Sequence, residues 1–175
     1  PADICLGQAS CTTAVAATTS SGLRAPGGLG FMGNSLWVSD TGNNRVLLFS
    51  PPIGNGSAAS LVVGQQDFVS AGINVGGLSA RTLNAPRGVL TVGSKLVVAD
   101  RGNNRVLLWN TIPTAGSTPA DVVLGQPNGS STSANYGGTS GMSLSGPNSV
   151  ATDGTRIAVS DSNNNRVLVW NSWPS

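Results

Sequence analysis

A string of fourteen residues occurs three times in this chain, from Leu36 to Phe49 (LWVSDTGNNRVLLF), from Leu96 to Trp109 (LVVADRGNNRVLLW) and from Ile157 to Trp170 (IAVSDSNNNRVLVW). Its aspartates are Asp40, Asp100 and Asp161, which sets periods of 60 and 61 residues. Two further elements keep step with it. One is apolar-Gly-Gln, at Leu6-Gly7-Gln8, Val63-Gly64-Gln65 and Leu124-Gly125-Gln126; the other opens on Leu and closes on Pro, at Leu23–Pro26, Leu83–Pro86 and Leu144–Pro147. A unit repeated at a fixed period cannot hide its apolar face alone and must stack on its neighbours.

The middle unit reads as four antiparallel strands. Gly88–Val92 forms the first, after the punctuating Pro86, and Val92–Lys95 a tight turn. Lys95–Asp100 is the second. Arg101-Gly102-Asn103-Asn104 is a hairpin turn, because Gly and Asn tolerate the positive φ such turns need. Arg105–Asn110 is the third strand, and Asp121–Gln126, beyond a Pro/Gly/Thr loop, the fourth. The second and third strands are apolar at nearly every position, whereas a sheet with one wet face would alternate. Both faces are therefore expected to be covered, as in the blades of a β-propeller. The expected fold is all-β, with three four-stranded antiparallel blades in one segment spanning 1–175: units 23–65, 83–126 and 144–175 plus 1–8.

At these residues the chain resembles the NHL-repeat family of propellers, through Asp-x-(Gly/Asn)-Asn-Asn-Arg-Val between two strands in all three units. The resemblance implies a propeller, commonly six-bladed, serving as a binding platform; a few members of that family are metal-dependent enzymes. The units here are longer than the family pattern. The extra residues, about 9–22, 66–82 and 127–143, are rich in Gly, Ser, Thr, Ala and Asn. Loops of this length are expected to be functional or disordered.

Pro1–Gln8 aligns with Pro119–Gln126, a fourth strand, and Trp170–Ser175 aligns with the end of a third strand. The last blade thus lacks its outer strand, and the first residues supply an unpaired one. Exposed strand edges invite pairing. Propellers have roughly four to eight blades, so the expected assembly is a twofold homodimer of six blades, each N-terminal strand completing the partner's last blade. A fragment of a longer chain is the alternative.

Composition removes most catalytic classes. There is no His, and all seven acidic residues are Asp. No Ser–His–Asp triad, His-ligated zinc or phosphate-binding Gly-x-x-x-x-Gly-Lys can be built. No catalytic residue, metal ligand or cofactor is expected. A net charge of +2 without a basic stripe argues against nucleic acid as partner, and no apolar run approaches the roughly 18 residues of a membrane helix. Cys5 and Cys11 form either a short disulfide, which would point to a secreted or extracytoplasmic setting, or a buried strand thiol with a free loop thiol.

The pairs Asp40–Arg45, Asp100–Arg105 and Asp161–Arg166 stand across the hairpin turns and can meet as bidentate ion pairs. Three equal copies point to pins for the turns, not to acids or metal ligands. Phe49, Trp109 and Trp170 share one position and are expected between blades, with Trp173 available to plug a dimer junction. Beside the first strands, neighbouring positions differ between units, and Arg24, Asn84, Arg87 and Asn148 are the candidate ligand-binding residues. Arg81 and Arg101 could extend a surface for anions. The leading expectation is a non-catalytic binding or structural module with an unidentified ligand. The alternatives are a calcium-dependent propeller hydrolase built on Asp, Asn and carbonyls, and a binder of nucleic acid or another anionic polymer.

Overall fold

The recurring string folds into the same hairpin three times. In the computed structural model, which describes residues 1–175, β1 (Leu29–Met32), β2 (Ser35–Asp40), β3 (Arg45–Phe49) and β4 (Leu61–Val63) form one antiparallel sheet in chain order. A second consists of β5 (Val89–Val92), β6 (Lys95–Asp100), β7 (Arg105–Trp109) and β8 (Val122–Leu124). The third has three strands, β9 (Pro147–Thr152), β10 (Ile157–Asp161) and β11 (Arg166–Trp170). Helix is confined to three single 3-10 turns at 41–43, 101–103 and 162–164.

Those 3-10 turns make the central hairpins. The registers Asp40↔Arg45, Asp100↔Arg105 and Asp161↔Arg166 close each ladder at the same rung. The residue that reverses the chain is the second Asn: Asn44, Asn104 and Asn165 have φ of 54°, 52° and 54°. Asn visits the left-handed region because its short side chain bonds locally. The glycine of the string, Gly42 or Gly102, has no positive φ but stands too close to Arg24 or Asn84 for a side chain, whereas in the third copy Gly146 leaves the room that the Asn163 side chain fills.

The sheets stack face to face in series. Trp37, Val46 and Val63 of the first sheet meet Val89, Leu96, Val98, Leu107 and Trp109 of the second. The opposite face of the second sheet, with Val97, Ala99, Val106 and Leu108, meets Leu144, Ile157 and Val159. Every residue of β7 is buried, so the unbroken apolar reading of the middle unit agrees with coverage on both faces. Full burial of such side chains contributes roughly 1.5–3 kcal/mol each. In β11 burial alternates, because only one face of the third sheet is covered.

The two outward faces of the stack are apolar. On the first sheet Leu29 and Phe31 are 62% and 72% exposed; on the third, Val167 and Val169 are 62% and 56% exposed. The first face is partly roofed by a cluster containing Leu23, Val38, Leu47 and Phe49 with Leu6, Ile53 and Phe68 against it.

Residues 1–8 do not form the expected strand. A strand needs a ladder partner, and within one chain no free edge lies beside them. They are instead tied to the loop after β3, where the Cys5 amide donates to Asn55 Oδ1 at 2.7 Å. Cys5 and Cys11 are joined as a disulfide, Cα to Cα 5.3 Å. The third sheet accordingly has three strands, not four.

The Gly of each Gly-Gln step has φ of +82°, +93° and +88° at Gly7, Gly64 and Gly125, and a Cβ there would stand 2.5–2.7 Å from Cδ1 of Leu23, Leu83 or Leu144. Only glycine turns the chain there while letting the next unit's leucine pack onto it. Residues 4–8 thus approach the first sheet as β4 and β8 approach the second and third.

Candidate functional site

Each central turn is a hub of hydrogen bonds. In the middle unit, Asp100 Oδ2 accepts from Arg105 Nε and Asn103 Nδ2, both at 2.7 Å, while Oδ1 accepts the Asn84 amide at 2.8 Å. The ion pair is a single Nε–Oδ2 contact and not the bidentate pairing expected from spacing, because the second carboxylate oxygen is engaged by backbone. Asp40–Arg45 and Asp161–Arg166 have the same geometry at 2.7 Å. Asp40 Oδ1 accepts the Arg24 amide and Asp161 Oδ1 the Ser145 amide.

Burial pushes the Asp100 carboxyl up, against the pull of the Arg105 guanidinium and of its hydrogen-bond donors. Such a carboxyl, holding three hydrogen bonds and closed to solvent, is out of reach of a substrate or an ion. No three His, Cys, Asp or Glu side chains gather anywhere in the chain.

The remaining nitrogens of Arg45 and Arg105 hold the long inter-sheet loops on both sides. Arg105 Nη2 donates to the Ser79 and Thr82 carbonyls of the preceding loop at 2.9 and 2.8 Å, and Nη1 to the Gly129 carbonyl of the following loop at 2.6 Å. Arg45 repeats this toward Thr19, Gly22 and Phe68. Asn74 and Asn103 exchange reciprocal amide bonds at 3.0 and 2.9 Å, as do Asn135 and Asn164. The loops are therefore well-tied parts of the scaffold, a structural use that their length and composition did not reveal.

Two residue types essential to this were missed as site residues: the second Asn of each turn and the Gln of each Gly-Gln. Asn44 Nδ2 donates to the Ala71 carbonyl while its Oδ1 accepts the Ala85 amide. Gln65 Nε2 donates to the Asn44 and Gly72 carbonyls. The signal was present, since Asn and Gln recur in register in every unit.

The four candidate ligand-binding residues lie on a rim beside these hubs. The Arg24 backbone bonds Asp40 and Gly42, and the Asn84 backbone bonds Asp100 and Gly102. The Arg87 carbonyl accepts the Gly28 amide at 2.8 Å, and the Asn148 carbonyl faces Gly88, so positions 27, 87 and 148 follow one another across the three sheets. Arg24, Arg87 and Asn148 are exposed. Of the nine cationic side chains, Arg24, Arg81, Arg87, Arg101 and Lys95 form no ion pair. The rim does not gather into a shared cavity. Arg81 lines a separate shallow groove with Gln65, Gln66, Ser79 and Ser117.

Phe49, Trp109 and Trp170 pack in the three apolar clusters. Trp173 holds the third sheet to the second: its Nε1 donates to Asn110 Oδ1 at 2.9 Å and Lys95 Nζ stands 4.0 Å from its ring centroid. It is thus engaged within the chain. No helix is long and apolar enough to cross a membrane.

The chain matches no protein-family model and no curated protein.

Proposed function

We propose that the chain is a non-catalytic binding or structural module: half of a six-bladed β-propeller of NHL-repeat type, its ring completed by a second copy. The observation that carries this reading is the serial stacking of three like sheets through apolar clusters, which leaves one apolar face outward at each end. Two exposed valines on one end and a Leu–Phe pair on the other give each end a reason to be covered. The catalytic reading lacks support, because the turn aspartates spend their oxygens on the scaffold.

The ligand would be read on the rim carrying Arg24, Asn84, Arg87 and Asn148. The unpaired guanidiniums of Arg24 and Arg87 favour an anionic ligand, and a polymeric one would show affinity that falls steeply with added salt. The Cys5–Cys11 disulfide favours a secreted or extracytoplasmic setting. Sedimentation of the purified chain tests the assembly. A mass of about twice 17.5 kDa is expected, and a 17.5 kDa species at all concentrations would overturn the two-chain ring.

A further inference from the structure

We propose that the two ends of the stack are complementary bond by bond, so that the Asn165–Arg166 turn of one copy seats in the segment Gln8–Ala25 of a second copy. This rests on the two-chain reading above and adds the register of its junction.

The junctions within the chain define what a complete one contains. At the first, Asn44 Nδ2 donates to the Ala71 carbonyl at 2.9 Å, Asn44 Oδ1 accepts the Ala85 amide at 2.8 Å, Arg45 Nη1 donates to the Phe68 carbonyl and Gln65 Nε2 to the Asn44 carbonyl. At the second, Asn104 Nδ2 donates to the Thr132 carbonyl at 2.9 Å, Asn104 Oδ1 accepts the Gly146 amide at 2.8 Å, Arg105 Nη1 donates to the Gly129 carbonyl and Gln126 Nε2 to the Asn104 carbonyl. The two carbonyl acceptors always lie three and six residues after the Gln. The amide always lies two residues after the leucine that packs on the Gly.

The third turn has the donors of such a junction and none of the acceptors. Asn165 is exposed and its side chain forms no hydrogen bond. Arg166 keeps its bonds to Asp161, Ser140 and Ser143, yet Nη1 has no partner and the side chain is 26% exposed, against 0% for Arg45 and Arg105.

The other end has the acceptors and no turn. Gln8 Nε2 donates to the Val15 carbonyl at 2.8 Å, as Gln65 does to Gly72 and Gln126 to Ser133, but lacks the turn carbonyl that both copies use. Three and six residues after Gln8 stand the carbonyls of Cys11 and Ala14, and two after Leu23 stands the Ala25 amide, all without partners. Ala25 already holds φ of 46°, matching 47° at Ala85 and 58° at Gly146.

The apolar surfaces agree with the same register. Val106 and Leu108 pack on Leu124, Leu144, Ile157 and Val159. Their counterparts Val167 and Val169 are exposed, while the counterparts of the four partners, Leu6, Leu23, Leu36 and Val38, line an apolar recess of 460 Å³ on the first sheet. The ladder Val106↔Leu124, Leu107↔Val123, Leu108↔Val122 then predicts Val167↔Leu6, Leu168↔Cys5 and Val169↔Ile4 between copies. A single bare donor could be incidental. Four hydrogen bonds and one strand ladder in a common register designate the far end of this same chain as the occupant.

The full-length chain carrying a photo-crosslinking phenylalanine at Val169 tests the register, with peptide mapping of the product and sedimentation of Asn165→Ala beside a control at Thr114→Ala, exposed in the loop between β7 and β8 of the middle sheet. Crosslinks are expected to fall within residues 1–38 of the second copy. Asn165→Ala should weaken the dimer about tenfold per junction, and so about a hundredfold over two, with Thr114→Ala unchanged and the circular dichroism of both preserved. A dimer that crosslinks elsewhere and ignores Asn165→Ala would overturn this register while leaving the two-chain ring intact. A wild-type chain that never dimerises would overturn both.

Discussion

Arg105 Nε lies 2.7 Å from Asp100 Oδ2 with neither side chain reached by solvent, and the same arginine ties two successive loops to the second sheet. Removing one partner of a buried pair strands the other charge at a cost of about 3–5 kcal/mol. Arg105→Ala should therefore lose about that much in denaturant unfolding. Arg166→Ala, measured on the dissociated single chain in which that side chain is 26% exposed, should lose distinctly less. Equal losses would show that burial does not distinguish the copies.

Trp109 Nε1 donates to the Thr118 carbonyl at 3.1 Å, whereas the buried Trp37 Nε1 has no partner. Trp109→Phe leaves a carbonyl without its donor, at a cost of about 1–3 kcal/mol beyond lost packing. Trp37→Phe removes an unsatisfied donor together with its volume. Thermal unfolding should rank Trp109→Phe as the more destabilising of the two.

Asp153 sits in the turn before β10, where the Arg156 amide, the Arg156 guanidinium and the Thr155 amide hold its carboxyl well below the ordinary value of 3.8. A depressed folded-state pKa means stability present above pH 3.8 and lost as the pH falls below it. Asp100 has the opposite sign. Its carboxyl is raised by burial, so that contribution is present below pH 3.8 and lost as the pH rises through its folded value. Carboxyl-carbon NMR titration should place the Asp153 midpoint below 3.8 and that of Asp100 above it. The reverse order would refute both assignments.

The disulfide closes a short loop, with Cys5 and Cys11 six residues apart. Constraining an unfolded loop of that size is worth about 2 kcal/mol. Reduction, or Cys5→Ser with Cys11→Ser, should lower the denaturation midpoint correspondingly. It should also weaken the dimer, because the proposed junction uses the Cys11 carbonyl and the Cys5 rung. Dimerisation indifferent to reductant would count against that placement of Cys11.

Much of the architecture was legible in the repeat. Strands β5, β6 and β7 were expected within a residue of where they form, since their apolar runs are bounded by Pro86, Gly93 and the Asn103-Asn104 turn. The role of Asn104 was only half legible. Its tolerance of positive φ follows from residue type, but its bonds to Thr132 and Gly146 cross between units, and no local pattern announces a partner 28 or 42 residues away. The rim residues Arg24, Asn84, Arg87 and Asn148 were picked because they vary among units, and variation locates a surface without creating a cavity.

By itself the sequence determined the β class, the three like units and the positions of their turns, because short apolar runs, turn residues and an internal period are local properties of the chain. Tertiary structure alone decided that the loops are bound into the scaffold, that the Asp–Arg pairs are single contacts beneath backbone amides, and that residues 1–8 pack without a ladder. Those outcomes depend on which groups meet across sheets. A hydrogen bond or a strand edge is satisfied only by what stands opposite it, and folding alone brings that opposite group into place.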